Sequence, residues 1–176
     1  MTSKRWIALF VLLSMLFGGY VSKTLAESSR YYNKEAGFSI SFPIDWEKLE
    51  GFMGNVVIGR SPLEGPTDRF RENVGVTVGD LSRRVTLEQE FQEGITLLAA
   101  TFTDFKEYER GQLTIDNTEA KWLVYSRRNE QITVKVLMYC FIKGNRGYVI
   151  GGTTAPKAFD RYRGQFEEIA KSFKFE

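Results

Sequence analysis

From Tyr31 the chain alternates apolar and polar residues, stops at Lys34-Glu35-Ala36-Gly37, and resumes with Phe38, Ile40 and Phe42 on one side and Ser39 and Ser41 on the other. A period of two predicts a β-hairpin with one wet face. Pro43 offers no N–H and ends the ladder, and Trp46 follows in the loop beyond. A short apolar run over 56–60 leads into Ser61 to Glu72, which carries Pro62, Gly65 and Pro66 and reads as a long exposed loop. Alternation returns over 73–81, with Val74, Val76 and Val78 facing inward and Gly75, Thr77 and Gly79 opposite.

The period then changes. Thr86 with Gln89 three residues on has the form of a capping box, and Glu88 and Glu90 place negative charge in a first helical turn. Leu87, Phe91, Ile95, Leu98, Ala99 and Phe102 follow at three- and four-residue spacing, one stripe of a helix that needs an apolar surface beneath it. Strand patterns resume over 105–113, 120–128, 132–142 and 146–153, separated by turns too short to join anything but antiparallel neighbours. Pro156 opens a second helix with the stripe Phe159, Tyr162, Phe166, Ile169, Ala170 and Phe173, and a short extended segment ends the chain. The expected class is α+β, an antiparallel sheet of about seven strands. Residues 134–142 are apolar at nearly every position and need cover on both faces, which predicts one helix on each in a three-layer α/β/α sandwich.

The ends and the charge change this picture. Lys4 and Arg5 precede an apolar run from Trp6 to Phe17, then Gly18-Gly19 and a polar stretch closing on Thr24-Leu25-Ala26, the order of a secretory signal peptide. The run is shorter than the roughly 20 apolar residues that span a bilayer, so cleavage after Ala26 is expected rather than anchoring. With no Cys near the site, lipid modification is not expected. Removing residues 1–26 leaves 27–176, one domain in length. It also removes Lys4, Arg5 and Lys23, so 21 basic residues face 22 acidic ones and the small positive charge of the whole chain vanishes. Nothing remains to attract nucleic acid or hold the domain directly on an anionic membrane.

The chemistry is sparse. The chain has no His, which removes the commonest base, metal ligand and partner of a nucleophilic Ser or Cys. Cys140 is the only cysteine; it shares a strand parity with Ile132, Val134, Val136, Met138 and Ile142 and reads as a buried small hydrophobe. Carboxylates pair at Glu107 and Glu109, at Glu167 and Glu168, and at Asp45 and Glu47, without the spacing of a calcium loop. Gly151-Gly152-Thr153-Thr154-Ala155-Pro156-Lys157 joins strand to helix but lacks the spacing of a phosphate loop. No catalytic residue, metal or cofactor is assigned. Arg and aromatic residues that recur at binding hot spots stand in the loop, as Arg69, Phe70 and Arg71, and near the turn at Asn129, as Arg127 and Arg128; with Trp46, whose alternative is to pack under the first hairpin, they form the candidate docking surface. Phe70 has an alternative role as a lid folded back on the sheet.

Phe38-Ser39-Ile40-Ser41-Phe42-Pro43-Ile44-Asp45-Trp46, Asp68-Arg69-Phe70-Arg71-Glu72-Asn73-Val74 and Phe166-Glu167-Glu168-Ile169-Ala170-Lys171-Ser172-Phe173 together resemble the PsbP-like superfamily. That group takes in photosystem II PsbP, DcrB-type exported proteins and the Ran-binding Mog fold. The resemblance spans essentially all of 27–176. It implies an antiparallel sheet sandwiched by helices, no catalytic centre general to the group, and roles of docking onto other proteins; fold alone does not carry function. The expectation is a non-enzymatic, monomeric accessory domain, exported to a periplasm, with the extracellular medium or a thylakoid lumen as alternatives. Its expected partner is an envelope or membrane-associated protein. The competing expectation is a carrier of a small apolar or amphiphilic ligand, lined by some of the 14% aromatic residues, and a His-free hydrolase using carboxylates is a remote third. Intact-mass measurement of the protein recovered from its host should give a chain beginning at Glu27; a mass retaining Met1 to Ala26 would contradict the cleavage.

Overall fold

The computed structural model describes residues 27–81, 83–129 and 132–176; the expected signal segment, 1–26, lies outside them. The elements are β1 (Ser28–Asn33), β2 (Phe38–Pro43), β3 (Glu47–Glu50), β4 (Val57–Arg60), β5 (Asn73–Asp80), α1 (Leu87–Thr101), β6 (Thr103–Ile115), β7 (Thr118–Asn129), β8 (Ile132–Lys143), β9 (Arg146–Thr154), α2 (Phe159–Lys171) and β10 (Lys174–Phe175). The fold is α+β and its strand pairs are antiparallel, as the period-two runs and short turns predict.

The strands form two sheets where the sequence suggested one. The larger runs β3-β4-β5-β9-β8-β7-β6, and its β6 to β9 portion is the expected meander. The smaller sets β2 between β1 and β10. β3 was not legible in the sequence: it is a four-residue edge strand, Glu-Lys-Leu-Glu, whose side chains lie largely in solvent and leave no hydrophobic alternation.

Register assigns every inner strand residue to one of two faces. On the first, Leu137, Tyr139, Phe141, Tyr148 and Ile150 pack with Phe159, Phe166, Ile169 and Ala170 of α2 and with Phe38, Ile40 and Phe42 of β2. Phe173 lies 5.2 Å from Phe38 and 5.0 Å from Phe141, ring centre to ring centre, and ties the last residues to both sheets. Aromatic pairs of this kind add about 0.5–1.5 kcal/mol each beyond burial. Asp116, at φ 44°, closes the β6–β7 turn and accepts the Phe175 N–H at 2.9 Å and Lys174 Nζ at 3.0 Å, which holds β10 in place. Those two contacts, the backbone one foremost, keep its carboxyl below the usual range.

On the second face, Leu123, Tyr125, Val136 and Cys140 pack with Phe91 of α1, flanked by half-buried Leu87, Ile95 and Leu98. The capping box is formed: Gln89 N–H donates to Thr86 Oγ1 at 3.1 Å and Thr86 N–H to Gln89 Oε1 at 3.0 Å. The predicted stripe is correct in phase, yet only Phe91 of α1 is fully buried and Ala99 is exposed. Cover on this face is incomplete, and the complete two-sided cover expected from the sequence gives way to a groove beside α1.

Gly151 and Gly152 expose the asymmetry between faces. A Cβ on Gly152 would stand 2.5 Å from the Phe166 ring, whereas one on Gly151 would meet nothing within 4 Å. Gly152→Val should therefore destabilise the fold by about 1–3 kcal/mol, while Gly151→Val, which replaces glycine by a strand former over open space, should leave the denaturant midpoint unchanged or raised. Equal losses for the two would contradict the face assignment.

Candidate functional site

The second face carries a groove of about 960 Å³. Its floor is built across three strands: Gly75 of β5 lies opposite Gly151 of β9, and Gly151 opposite Met138 of β8. Of these two glycines Gly151 leaves the floor bare, whereas the space above Gly75 is taken by the Asn55 side chain, and Val136 and Val149 lie beside Gly151 in the lining. Leu98 and Phe102 from the end of α1 form one wall; Phe52 and Met53 and then Phe70 form the other.

The Phe52–Met53 wall is a short turn held against its own conformational preference. Gly51 and Gly54 take φ 62° and 78°, glycine's natural territory, but Met53 between them is also left-handed at φ 50°. Asn55 locks it in place: its Nδ2 donates to the carbonyls of Phe52 and Met53, and its Oδ1 accepts from Thr77 Oγ1. The Asn55 amide sits where a Gly75 side chain would be, with Oδ1 2.3 Å from that Cβ position. The turn thus holds Met53 with 80% of its surface in water. Across the groove Ile132, the first residue of β8, is 54% exposed.

Three arginines line the groove, Arg60, Arg71 and Arg127, with no carboxylate among the described lining residues. Register gathers them at one end: Arg60 pairs with Asn73, Asn73 with Thr153, Thr153 with Val136, and Arg127 with Val134 one step further on. Arg60 and Arg71 both donate to the same oxygen of Glu47, at 3.0 and 2.6 Å, and hold that carboxyl below its usual range, Arg71 the larger cause. The guanidinium of Arg127 lies 4.0 Å over the Phe102 ring.

The long loop is tethered rather than loose. Asp68 accepts the backbone N–H groups of Glu64 and Phe70, which lowers its pKa. Glu64 accepts from Arg161 and Tyr162 of α2. Buried Glu72 closes the loop base, accepting from Ser61 Oγ at 3.4 Å and Thr154 Oγ1 at 3.2 Å.

Of the docking residues read from the sequence, the groove brings together Phe70, Arg71 and Arg127. Phe70 is half-buried against the α1-side core, so it is wall and partial lid at once. Arg69 is exposed on the loop but does not line the groove, and Arg128 points to Asp104 at 3.6 Å. Trp46 belongs elsewhere: only 4% exposed, it packs in the α2-side core, because the chain after Pro43 turns inward with Trp46 N–H donating to the Pro43 carbonyl. Sequence reading missed Arg60, Phe52, Met53, Ile132 and the paired glycines. An apolar dipeptide bracketed by glycines was a usable signal for the first wall; the glycine pair was invisible before the register was known.

Three of the paired carboxylates are held by arginines. Glu107 pairs with Arg110, and Glu109 and Glu167 with Arg163. Among the described residues no three His, Cys, Asp or Glu side chains converge as metal ligands, and no helix is long and apolar enough to cross a membrane.

A profile of the PsbP-like protein family matches residues 21–175. The chain belongs to the PsbP-like family. Comparison with curated proteins gives no match. Among solved structures, the chain resembles cyanobacterial PsbP (CyanoP) from Synechocystis sp. PCC 6803 at TM-score 0.64 and 16% identity, over 91% of this chain and 99% of that one. It resembles LpqN, involved in cell envelope biogenesis of Mycobacterium tuberculosis, at TM-score 0.64 and 12% identity, over 84% and 90%. It also resembles the Saccharomyces cerevisiae Ran-binding protein Mog1p at TM-score 0.57 and 9% identity, over 85% and 95%. At these identities the likeness is one of fold. PsbP-like membership agrees with the resemblance read from the three sequence segments.

The Cys140 thiol lies on the α1 side, almost wholly buried, and burial pushes it up to about 11. It is therefore protonated at neutral pH and is not a nucleophile there. Because the unfolded thiol ionises first, its contribution weakens the fold as pH rises from about 9 toward 11. Iodoacetamide at pH 8 should leave Cys140 unmodified in the folded chain and alkylate it fully in denaturant; rapid modification of the folded chain would contradict this placement.

Proposed function

We propose that this PsbP-like chain is a non-enzymatic accessory domain of the cell envelope, exported and working in the periplasm, that binds another protein in the groove beside α1. On this reading the helices and the small sheet make three layers, and the gap in the α1 layer is the working surface. The observation that carries it is the Phe52–Met53 turn, where a left-handed methionine is pinned by Asn55 with most of its apolar surface in water. A fold gains nothing from such a residue, whereas a docking surface gains a flexible, polarisable contact. Envelope biogenesis and Ran binding, stated for LpqN and Mog1p, set the precedent of accessory roles on this fold.

The carrier reading has one observation in its favour, the apolar floor between sheet and helix. Small-ligand sites, however, bury about 70–90% of their occupant, and this groove is open to solvent along a rim of exposed Met53 and Ile132. Lipid released on solvent extraction of the purified protein would favour the carrier.

A photoreactive phenylalanine analogue placed at Met53 or Phe70 in the native host should give discrete protein adducts. The same analogue at Tyr32, exposed on the small sheet, should give none, and Gly151→Leu should suppress the adducts at both groove positions. Adducts indifferent to Gly151→Leu would remove the groove from the account.

A further inference from the structure

We propose that the occupant of the groove is an acidic amphipathic helix of the partner, its apolar side chains on the glycine floor and its carboxylates at the arginine end. This rests on the protein-docking reading and goes beyond it by naming the chemistry of the partner.

Three observations converge on it. Charge is the first. Three cations and no carboxylate line the groove among the described residues, and Arg60 and Arg71 share a single oxygen of Glu47, so that wall keeps an excess positive charge. A groove whose charge is of one sign at one end orients its occupant as well as attracting it.

Width is the second. The open floor lies between α1 and the Asn55-anchored turn, and spans β5, β9 and β8. Two inter-strand spacings make about 10 Å, the diameter of one helix with its side chains, about 10–12 Å. In the floor row Gly75 lies under Asn55 and Met138 stands at the other side, while bare Gly151 between them lets a helix approach the sheet backbone closely at β9.

The third is that apolar and charged contacts lie where a helix needs both. Phe70, Leu98 and Phe102 flank the trough, while Arg71 and Arg127 stand at one end of it. Anchors at i, i+3, i+4 and i+7 would face the floor. The carboxylates belong past the apolar stripe, where Arg127 can turn from the Phe102 ring to meet them.

The test pans a phage library of random 12-residue peptides against the full chain, and measures the enriched peptides by fluorescence anisotropy. Enriched sequences should carry apolar residues at three- and four-residue spacing with Asp or Glu gathered at one end. Gly151→Leu should abolish their binding with no fall in Tm, because a Cβ there meets nothing within 4 Å and the side chain beyond it rises from the floor. Arg127→Glu should weaken binding about 10- to 100-fold, and Arg127→Lys should restore most of it. No enrichment, peptides without acidic residues, or affinities unmoved by Arg127→Glu would each overturn the proposal. So would binding of phosphatidylglycerol vesicles that Gly151→Leu abolishes, which would give the groove to a lipid surface. If the Gly151-dependent protein adducts at Met53 persist while acidic peptides fail, docking stands and only the partner's chemistry is wrong.

Discussion

Gly152 has no side chain because the Phe166 ring occupies the space one would need, with its nearest atoms 2.5 Å from a Cβ placed there. That close approach seats α2 on β9 and, through α2, brings Phe173 against Phe38 and Phe141, so the two sheets and the C-terminus share one core. Because successive strand residues face opposite ways, it also fixes Gly151 on the other side. A shift of β9 by one residue would drive Gly151 under Phe166, turn Tyr148 and Ile150 out of the α2 core and turn Val149 into it. One contact thereby sets both what is packed and what is left open.

The open side is a consequence of how little α1 covers. Its buried contact is Phe91, supported by half-buried Leu87, Ile95 and Leu98, over β7 and β8. The β3–β4 turn reaches over β5 from the opposite direction, seated by Asn55 on Gly75. Between them β9 contributes Val149, Gly151 and Thr153 to the floor of the groove. A folded chain normally closes such a gap with larger side chains; here glycine keeps it open, and the arginines collect at the end where β4, β5 and β7 present their residues together.

Most of the architecture was legible in the sequence because it rests on local signals. The Thr86–Gln89 box, the alternation of Phe38 to Phe42 and the short turns between β6 and β9 depend on neighbours within a few residues. The small sheet was legible only as its β1–β2 hairpin, since β10 is two residues long and reveals its place beside β2 only when Lys174 pairs with Ser39 and Phe175 with Phe38. Trp46 reads from the sequence both as packing under the first hairpin and as a surface anchor, and the inward path after Pro43 decides for the packed position. The groove was half legible. Phe70, Arg71 and Arg127 are residue types that stand out alone, but Gly75 and Gly151, 76 positions apart, become a floor only when β5 pairs with β9.

Met53 itself can report whether this surface is covered at work. Hydroxyl-radical footprinting of the protein in intact host cells, set against the purified chain, measures its oxidation directly, with Tyr32 and Leu63 as exposed residues away from the groove. If a partner covers the groove, Met53, 80% exposed in the isolated chain, oxidises several-fold more slowly in cells while Tyr32 and Leu63 do not change. Equal Met53 oxidation in the two settings would mean that nothing docks in the groove.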